Sequence, residues 1–120
     1  MSYKPDHSRI FVFGSNLGGF HGAGAAAFAM VNHGALPGMG YGRQGNSFAI
    51  PTKDWNVRTL PLNTIATFVR LFIQYAENHP ELRFQVTRIG CGLAGYEDKD
   101  IAPMFLDAPT NCDLPEGWRS

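Results

Sequence analysis

Residues 11–30 read Phe11-Val-Phe-Gly-Ser-Asn-Leu-Gly-Gly-Phe-His-Gly-Ala-Gly-Ala-Ala-Ala-Phe-Ala-Met30. Three kinds of sequence follow one another here: an apolar, β-prone run (10–13), a glycine-rich turn (14–24) and a small-residue helix former (25–32). Strand, glycine loop and helix in this order form an anion site in many α/β proteins, because the free N–H groups at the helix start face the ligand. The stretch therefore predicts an α/β fold with a ligand site at the turn.

The distribution of glycines and acids around this turn is uneven. Ten of the 14 glycines lie between residues 14 and 45, and no Asp or Glu occurs from residue 7 to residue 53, although the chain has ten acids. A simple tight βα connection is the alternative, but a loop that only turns uses Asp and Asn freely, whereas a phosphate-binding loop excludes carboxylates. We therefore favour ligand binding, with Asn16 as the turn side chain that both donates and accepts hydrogen bonds.

Length, charge and cysteine count bound the class of protein. The 120 residues predict a single domain, residues 1–120, with an N-terminal arm (1–8) and a C-terminal tail (115–120). The net charge of zero does not indicate a nucleic-acid partner held by bulk electrostatics. We expect no signal peptide and no membrane partner, because no apolar run is long enough. Two cysteines make neither a zinc spacing nor a disulfide scaffold, which favours a reduced, cytoplasmic setting.

The middle of the chain predicts a long loop, a strand and a helix. Residues 35–46 form a second glycine-rich loop, in which Tyr41 and Arg43 indicate either a lid that stacks on a base and meets phosphate or a plain surface loop. A strand over residues 47–51 is expected to end at Pro51, and the four residues after it are site candidates by position alone. Apolar residues at helical spacing predict the main core helix over 62–78, with a proline at its first position.

The last third predicts a second strand–loop–helix unit. Residues 83–89 read as a strand, residues 90–96 as a glycine loop, and residues 98–106 as a helix, with a short strand over 111–114. Parallel strands present the loops that follow them at one edge of a sheet. Two such loops on neighbouring strands would form one cleft lined by backbone N–H groups, for which a diphosphate is a natural occupant.

These residues carry a resemblance to a known family. The segment Phe11-Val-Phe-Gly-Ser-Asn16 with its glycine loop, and the later Arg88-Ile-Gly-Cys-Gly-Leu-Ala-Gly95, resemble a small macrodomain. The branch that it resembles most includes the antitoxin-type macrodomains, which remove ADP-ribose from nucleic acid bases. The resemblance implies a three-layer α/β/α sandwich with a mixed, mostly parallel sheet. It also implies an ADP-ribose-like nucleotide, or an ADP-ribosylated substrate, as the partner.

The predicted site residues come partly from the resemblance and partly from residue chemistry. The resemblance implies that Asn16 would hold the distal ribose. His21 is the candidate general base because a histidine titrates near neutral pH, with a plain surface loop residue as the alternative, and Asn16 and His21 together are the predicted catalytic residues. The predicted ligand-binding residues lie in the three glycine-rich loops: Gly14, Ser15, Gly22, Ala23, Gly24, Ala25, Tyr41, Arg43, Gly90, Cys91, Gly92, Leu93, Ala94, Gly95 and Tyr96. We predict no metal site and no cofactor, because the cysteines and the other histidines show no metal spacing.

Two departures from the family pattern limit what is predicted. The catalytic lysine of the antitoxin-like branch falls on Ala23 here, and we expect no room ahead of Ile10 for the upstream strand whose Asp reads adenine. Asp6 and Asp54 are the candidate replacements. For Cys91 we favour a small inward-facing residue over a nucleophile. Arg88 either meets the ligand or pairs with an acid of residues 97–100.

The sequence leads to one principal function and two alternatives. We expect binding of ADP-ribose or a related NAD-derived nucleotide. If the protein is an enzyme, a water molecule attacks the anomeric carbon of an ADP-ribosyl linkage. The alternatives are a non-catalytic reader or sponge for a nucleotide signal, which the residue at position 23 favours, and a structural or interaction protein whose glycine loops are only tight turns.

Overall fold

A computed structural model describes residues 7–119. In chain order its elements are β1 (Ile10–Asn16), α1 (Gly24–Asn32), β2 (Gly42–Gln44), β3 (Ser47–Lys53), α2 (Leu62–Glu77), β4 (Phe84–Val86), α3 (Asp98–Ile101) and β5 (Cys112–Asp113). A 3₁₀ turn, Ala102–Phe105, continues α3. Most of the predicted N-terminal arm, residues 1–6, and the last residue of the predicted tail lie outside the described residues.

The five strands form one mixed sheet in the order β2-β3-β1-β4-β5. The pairs β3–β1, β1–β4 and β4–β5 are parallel, and β2 is antiparallel to β3. The α/β class and the mostly parallel sheet are therefore confirmed. Because β1 and β4 are parallel neighbours, the two glycine loops that follow them lie at the same edge of the sheet, as the sequence predicted.

The continuous apolar run of β1 is explained by burial on both faces of the sheet. Ile10 and Val12 belong to the larger hydrophobic cluster, which includes the buried residues of α2. Phe11 and Phe13 belong to a second cluster with residues of α1. Side chains alternate between the two faces of a strand, so both sets must be apolar for both faces to be covered.

The predicted core helix is confirmed over Leu62–Glu77. Its buried residues recur at helical spacing: Ile65, Val69, Phe72, Ile73 and Ala76. Pro61 is the N-cap rather than the first helical residue, with an extended ψ of 151°. The helix α1 ends at Asn32 with His33 as its C-cap, and Gly34 follows with a φ of +75°, a left-handed conformation that suits glycine.

Four predicted boundaries were wrong. The first strand does not end at Phe13, because residues 14–16 of the predicted turn still pair with β3 and belong to β1. The loop predicted over 35–46 is interrupted by a strand, because Gly42–Gln44 pairs with β3. This short strand forms only through that pairing, so no pattern in its own residues indicates it. The strand β3 does not end at Pro51 but continues to Lys53. Since β2 pairs only with residues 47–49, the missing N–H of Pro51 removes no bond to that edge strand. The predicted strand over 83–89 is paired only over Phe84–Val86.

The helix predicted over 98–106 forms in two parts. The α-helical part, α3, begins with a capping box in which the side chains of Glu97 and Asp100 each accept the other residue's backbone N–H. Pro103 lies in the 3₁₀ turn that follows. Among the helices of the described residues, none is both long and apolar enough to cross a membrane.

Candidate functional site

A cleft of about 490 Å³ opens at the carboxyl edge of the parallel strands. It is lined by the end of β1 and its loop (residues 14–16, 20 and 22–26), by the end of β3 and its turn (52, 53 and 57), and by the segment after β4 (87–90 and 92–94). Open α/β sheets bind ligands at this edge, and the volume lies within the range of small-molecule sites, about 300–1,000 Å³.

Close backbone approach brings the two glycine loops together. A Cβ on Gly14 would lie 3.6 Å from the backbone nitrogen of Gly90 and 3.5 Å from the side chain of Thr52. The Thr52 hydroxyl donates a hydrogen bond to the carbonyl oxygen of Ser15 at 3.2 Å. The ends of β1 and β3 and the loop after β4 thus form one continuous wall.

Two residues of the cleft, Gly22 and Gly92, lie one in each loop, and the conformation of the backbone does not require glycine at either position. Neither has a φ in the left-handed region, and a Cβ on either would meet no heavy atom within 4 Å. Both residues line the cleft. Since neither backbone strain nor a neighbouring residue requires glycine here, the space beside these residues is open to a ligand that touches the backbone.

The N-terminus of α1 faces the same cleft. The N-cap residue, Ala23, has an extended backbone and offers no side-chain cap, and Gly24, Ala25 and Ala26 line the cleft beside it. The first N–H groups of a helix have no partner within the helix, and its dipole is positive at this end. This wall therefore presents hydrogen-bond donors and partial positive charge.

The charged side chains that line the cleft among the described residues are Lys53 and Arg88, both cations. Arg88 also forms an ion pair with Asp98 and donates to the carbonyl oxygen of Glu116 at 3.0 Å. The hydrogen bond from Arg88 lowers the pKa of Asp98 below its usual value. Of the two interpretations left open for Arg88, pairing with an acid is confirmed, and the residue borders the cleft as well.

The Asn16 side chain is buried at the cleft and is bonded to the loop that follows it. Its Nδ2 donates to the carbonyl oxygen of Phe20 at 3.0 Å, and its Oδ1 accepts from the Phe20 N–H at 2.8 Å. These bonds use one amide hydrogen and one carbonyl lone pair, and each group has a second. Its neighbour Ser15 lines the cleft too, but the Ser15 hydroxyl donates to the carbonyl oxygen of Gly40.

His21 does not line the cleft. The side chain is buried, its ring packs edge-on against Phe13 at a centroid distance of 5.4 Å, and its Nε2 lies 3.1 Å from Oε1 of Gln44. The same Gln44 oxygen accepts the backbone N–H of Leu36 at 2.8 Å. In this position His21 joins two loops behind the cleft wall, and its predicted role as a general base stays a prediction.

Tyr41 and Arg43 also lie away from the cleft, so the structure does not place them as a lid. The Tyr41 ring lies 5.6 Å from the rings of Phe48 and Phe68, and burial raises its pKa. Arg43 belongs to β2 and donates to the carbonyl oxygen of Gly45 at 2.8 Å and to the Tyr75 hydroxyl at 3.1 Å. The antiparallel pairing of β2 carries both residues to the outer edge of the sheet.

The second glycine loop contributes four of its seven predicted residues to the cleft: Gly90, Gly92, Leu93 and Ala94. The other three, Cys91, Gly95 and Tyr96, do not line it. The Tyr96 hydroxyl donates to the carbonyl oxygen of Leu60 at 2.7 Å. Burial and the nearby Asp98 raise the pKa of the Cys91 thiol to about 11, so Cys91 is protonated at neutral pH and is a poor nucleophile. The Gly95 N–H closes the loop on the carbonyl oxygen of Gly92 at 3.0 Å.

Several lining residues were not among the predicted site residues. Thr52 and Lys53 were candidates because they follow the strand predicted over residues 47–51, and Arg88 was considered for its place beside the second glycine loop, but Phe20 and Val57 had no sequence signal. Asp54, the candidate adenine reader, does not line the cleft: its Oδ1 accepts the backbone N–H groups of Asn56 and Arg58. Asp6 lies outside the described residues.

No family model, no curated protein and no solved structure matches this chain. Within residues 7–119, no three His, Cys, Asp or Glu side chains lie together in a way that would hold a metal ion.

Proposed function

We propose that this protein binds ADP-ribose or a related NAD-derived nucleotide in the cleft between the two glycine loops. The observation that carries the proposal is the pair Gly22 and Gly92, which border the cleft with open space beside them and no conformational need for glycine. A three-layer α/β/α arrangement, a relationship to macrodomains and a reduced, cytoplasmic setting belong to the same proposal. The two free cysteines are in keeping with that setting.

The charge of the cleft supports a diphosphate as the central group of the ligand. The uncapped start of α1 offers backbone donors, and Lys53 and Arg88 supply positive charge. The cleft lining contains no carboxylate among the described residues. Helix N-termini and backbone N–H groups bind phosphate in many α/β proteins.

The position of Asn16 supports a sugar beside the diphosphate. Its remaining amide hydrogen and carbonyl lone pair would serve a ribose hydroxyl, while its bonds to Phe20 hold the side chain in place. A side chain with fixed orientation loses little entropy when a ligand binds, which favours affinity.

Binding without hydrolysis is the form of the proposal that the side chains favour. General base catalysis requires a group that takes a proton near neutral pH, whereas the charged side chains that line the cleft among residues 7–119 are a lysine and an arginine. Hydrolysis of an ADP-ribosyl linkage is the second candidate, which the placement of Asn16 supports. Hydrolysis would then need a general base that the substrate brings with it, or a movement of His21 into the cleft.

Isothermal titration with ADP-ribose, together with a thermal shift, tests the proposal. ADP-ribose at about 100 times its Kd should stabilise the fold by roughly 2.7 kcal/mol. Gly92→Glu places a carboxylate in the cleft and should abolish binding. Leu106→Glu adds the same charge at an exposed position outside the cleft and should not.

If the titration gives no heat of binding and millimolar ADP-ribose causes no thermal shift, the proposal is contradicted and the structural alternative is favoured. If the protein forms product from an ADP-ribosylated substrate at a saturating substrate concentration, it is a hydrolase and not a non-catalytic reader.

A further inference from the structure

Phe20 is an exposed aromatic residue in the wall of the cleft. It lines the cleft and is 59% exposed. The face of an aromatic ring stacks on other flat rings, so an exposed ring in the wall of a cleft is suited to hold a flat group of a ligand.

The loop contacts both the backbone and the side chain of Phe20. Both backbone polar groups of Phe20 are bonded to the side chain of Asn16. The ring fills the place beside Gly18: a Cβ there would lie 2.3 Å from Cε2 and 2.8 Å from Cδ2 of Phe20. A side chain at residue 18 would therefore displace the Phe20 ring from its position.

The neighbouring residue Gly19 anchors the loop on its other side. Its carbonyl oxygen accepts the Gly38 N–H at 3.0 Å, and a Cβ on Gly19 would lie 2.3 Å from the carbonyl carbon of Gly38. The backbone of Gly19 and Phe20 is therefore held by contacts from residue 38 and from Asn16. An exposed ring on an anchored loop is positioned before a ligand arrives.

Two more exposed apolar side chains border the same cleft, from two other segments. Val57 is 48% exposed and has a φ of +60°, which is rare for a β-branched residue. The turn maintains this conformation through the Asp54 carboxylate and a bond from the Val57 N–H to the Asp54 carbonyl oxygen. Leu93 is 70% exposed and lies next to the start of α1. The cleft thus combines an apolar border with polar backbone walls.

We infer that Phe20 is the surface on which the cleft stacks a flat heteroaromatic ring of its ligand, with Val57 and Leu93 as apolar border. The inference rests on the proposed function and adds that a nucleotide ring, and not only sugar and diphosphate, determines affinity. Adenine and nicotinamide are the two sources of such a ring in NAD-derived nucleotides, and the experiment distinguishes them.

The test compares the intact protein with Phe20→Ala, Phe20→Leu and Phe20→Tyr by titration with ADP-ribose and with NAD. Loss of base–aromatic stacking should weaken binding about 5- to 100-fold in the alanine and leucine variants. The tyrosine variant keeps the ring and should bind within about twofold of the original protein. Leu106→Ala removes a similarly exposed side chain (63%) outside the cleft and should change nothing.

Proton chemical shifts of the bound ligand identify the ring. Upfield shifts of adenine protons that disappear in Phe20→Leu assign adenine, and the same behaviour of nicotinamide protons in NAD assigns nicotinamide. Binding by the original protein with unchanged affinity in Phe20→Ala and Phe20→Leu would overturn the inference and leave the proposed function intact. Absence of any binding by the original protein would overturn the proposed function and this inference with it.

Discussion

The Asn16 side chain and the Phe20 backbone form a closed pair of hydrogen bonds at the start of the first glycine loop. Nδ2 donates to the Phe20 carbonyl oxygen at 3.0 Å and Oδ1 accepts the Phe20 N–H at 2.8 Å. One asparagine therefore shapes the loop and borders the cleft at the same time. Its loss should affect both stability and ligand affinity.

Asn16→Ala should lower the free energy of unfolding by about 1–3 kcal/mol, since it removes two hydrogen bonds of roughly 0.5–1.5 kcal/mol each. ADP-ribose affinity should fall as well, because the ribose partner is lost and Phe20 is no longer held. Urea unfolding and isothermal titration measure the two effects. Asn32→Ala, which removes one bond to Phe28 in α1, is the control and should leave affinity unchanged. Full affinity in Asn16→Ala would refute the assigned role.

Gly90 and Gly92 should respond in opposite ways to substitution. Gly90 has a φ of +74°, and a Cβ on it would lie 3.1 Å from Cδ1 of Ile101, so Gly90→Val should destabilise the fold by more than about 1–2 kcal/mol. Gly92 has neither constraint, so Gly92→Val should keep the original Tm and still lose ADP-ribose binding. Thermal unfolding and titration of both variants check this, and an unaffected affinity in Gly92→Val would contradict it.

Arg88→Gln should weaken ADP-ribose binding about tenfold, because a hydrogen bond to a charged group contributes roughly 1.5 kcal/mol. Arg83→Gln is the matched control, since Arg83 is also an exposed arginine paired with an aspartate, Asp113, but lies outside the cleft. The affinity of the original protein should decrease with salt more steeply than that of Arg88→Gln. Equal loss in both variants would indicate a general charge effect.

The two cysteines should make the fold less stable in alkali. Burial raises the pKa of Cys91 from 9.0 to about 11 and that of Cys112 from 9.0 to about 12. A raised pKa means that the unfolded chain loses the proton first. The contribution of each protonated thiol to the free energy of unfolding is therefore complete below about pH 9, and it is lost as the pH rises through the folded-state pKa values of about 11 and 12.

Urea unfolding between pH 7 and pH 11 checks this, with Cys91→Ser and Cys112→Ser as comparisons. Each variant should show a shallower decrease of the free energy of unfolding above pH 9. Alkylation of Cys91 by iodoacetamide at pH 7 should be slower than that of an unfolded thiol. Rapid modification of Cys91 in the folded protein would show that its thiolate is accessible.

Arg43→Ala should leave ADP-ribose affinity unchanged. Arg43 bonds to Gly45 and Tyr75 at the edge strand, and neither it nor Tyr41 borders the cleft. The variant loses an exposed contact and should lower the Tm only slightly. A tenfold loss of affinity would mean that the loop before β2 folds over the bound ligand.

Much of the fold was predictable because its signals are local. The apolar run of β1 and the stripe that includes Ile65, Val69 and Phe72 report burial directly through their spacing. The strand β2 was not predictable in this way: Gly42–Gln44 is a strand through its pairing with β3. For the site, the two glycine loops were predicted from residue type and order, whereas Phe20 and Val57 were not.

What the sequence by itself determined is the pair of strand–glycine loop–helix units, since strand propensity, helix periodicity and glycine turns depend on adjacent residues. Only the tertiary structure decided which side chains of those loops border the cleft. His21 is buried against Phe13, where its ring bonds to Gln44, 23 residues away. Arg43 lies outside the cleft because it belongs to β2, which pairs with β3 at the edge of the sheet. Such contacts depend on partners distant in the chain, and no local pattern encodes them.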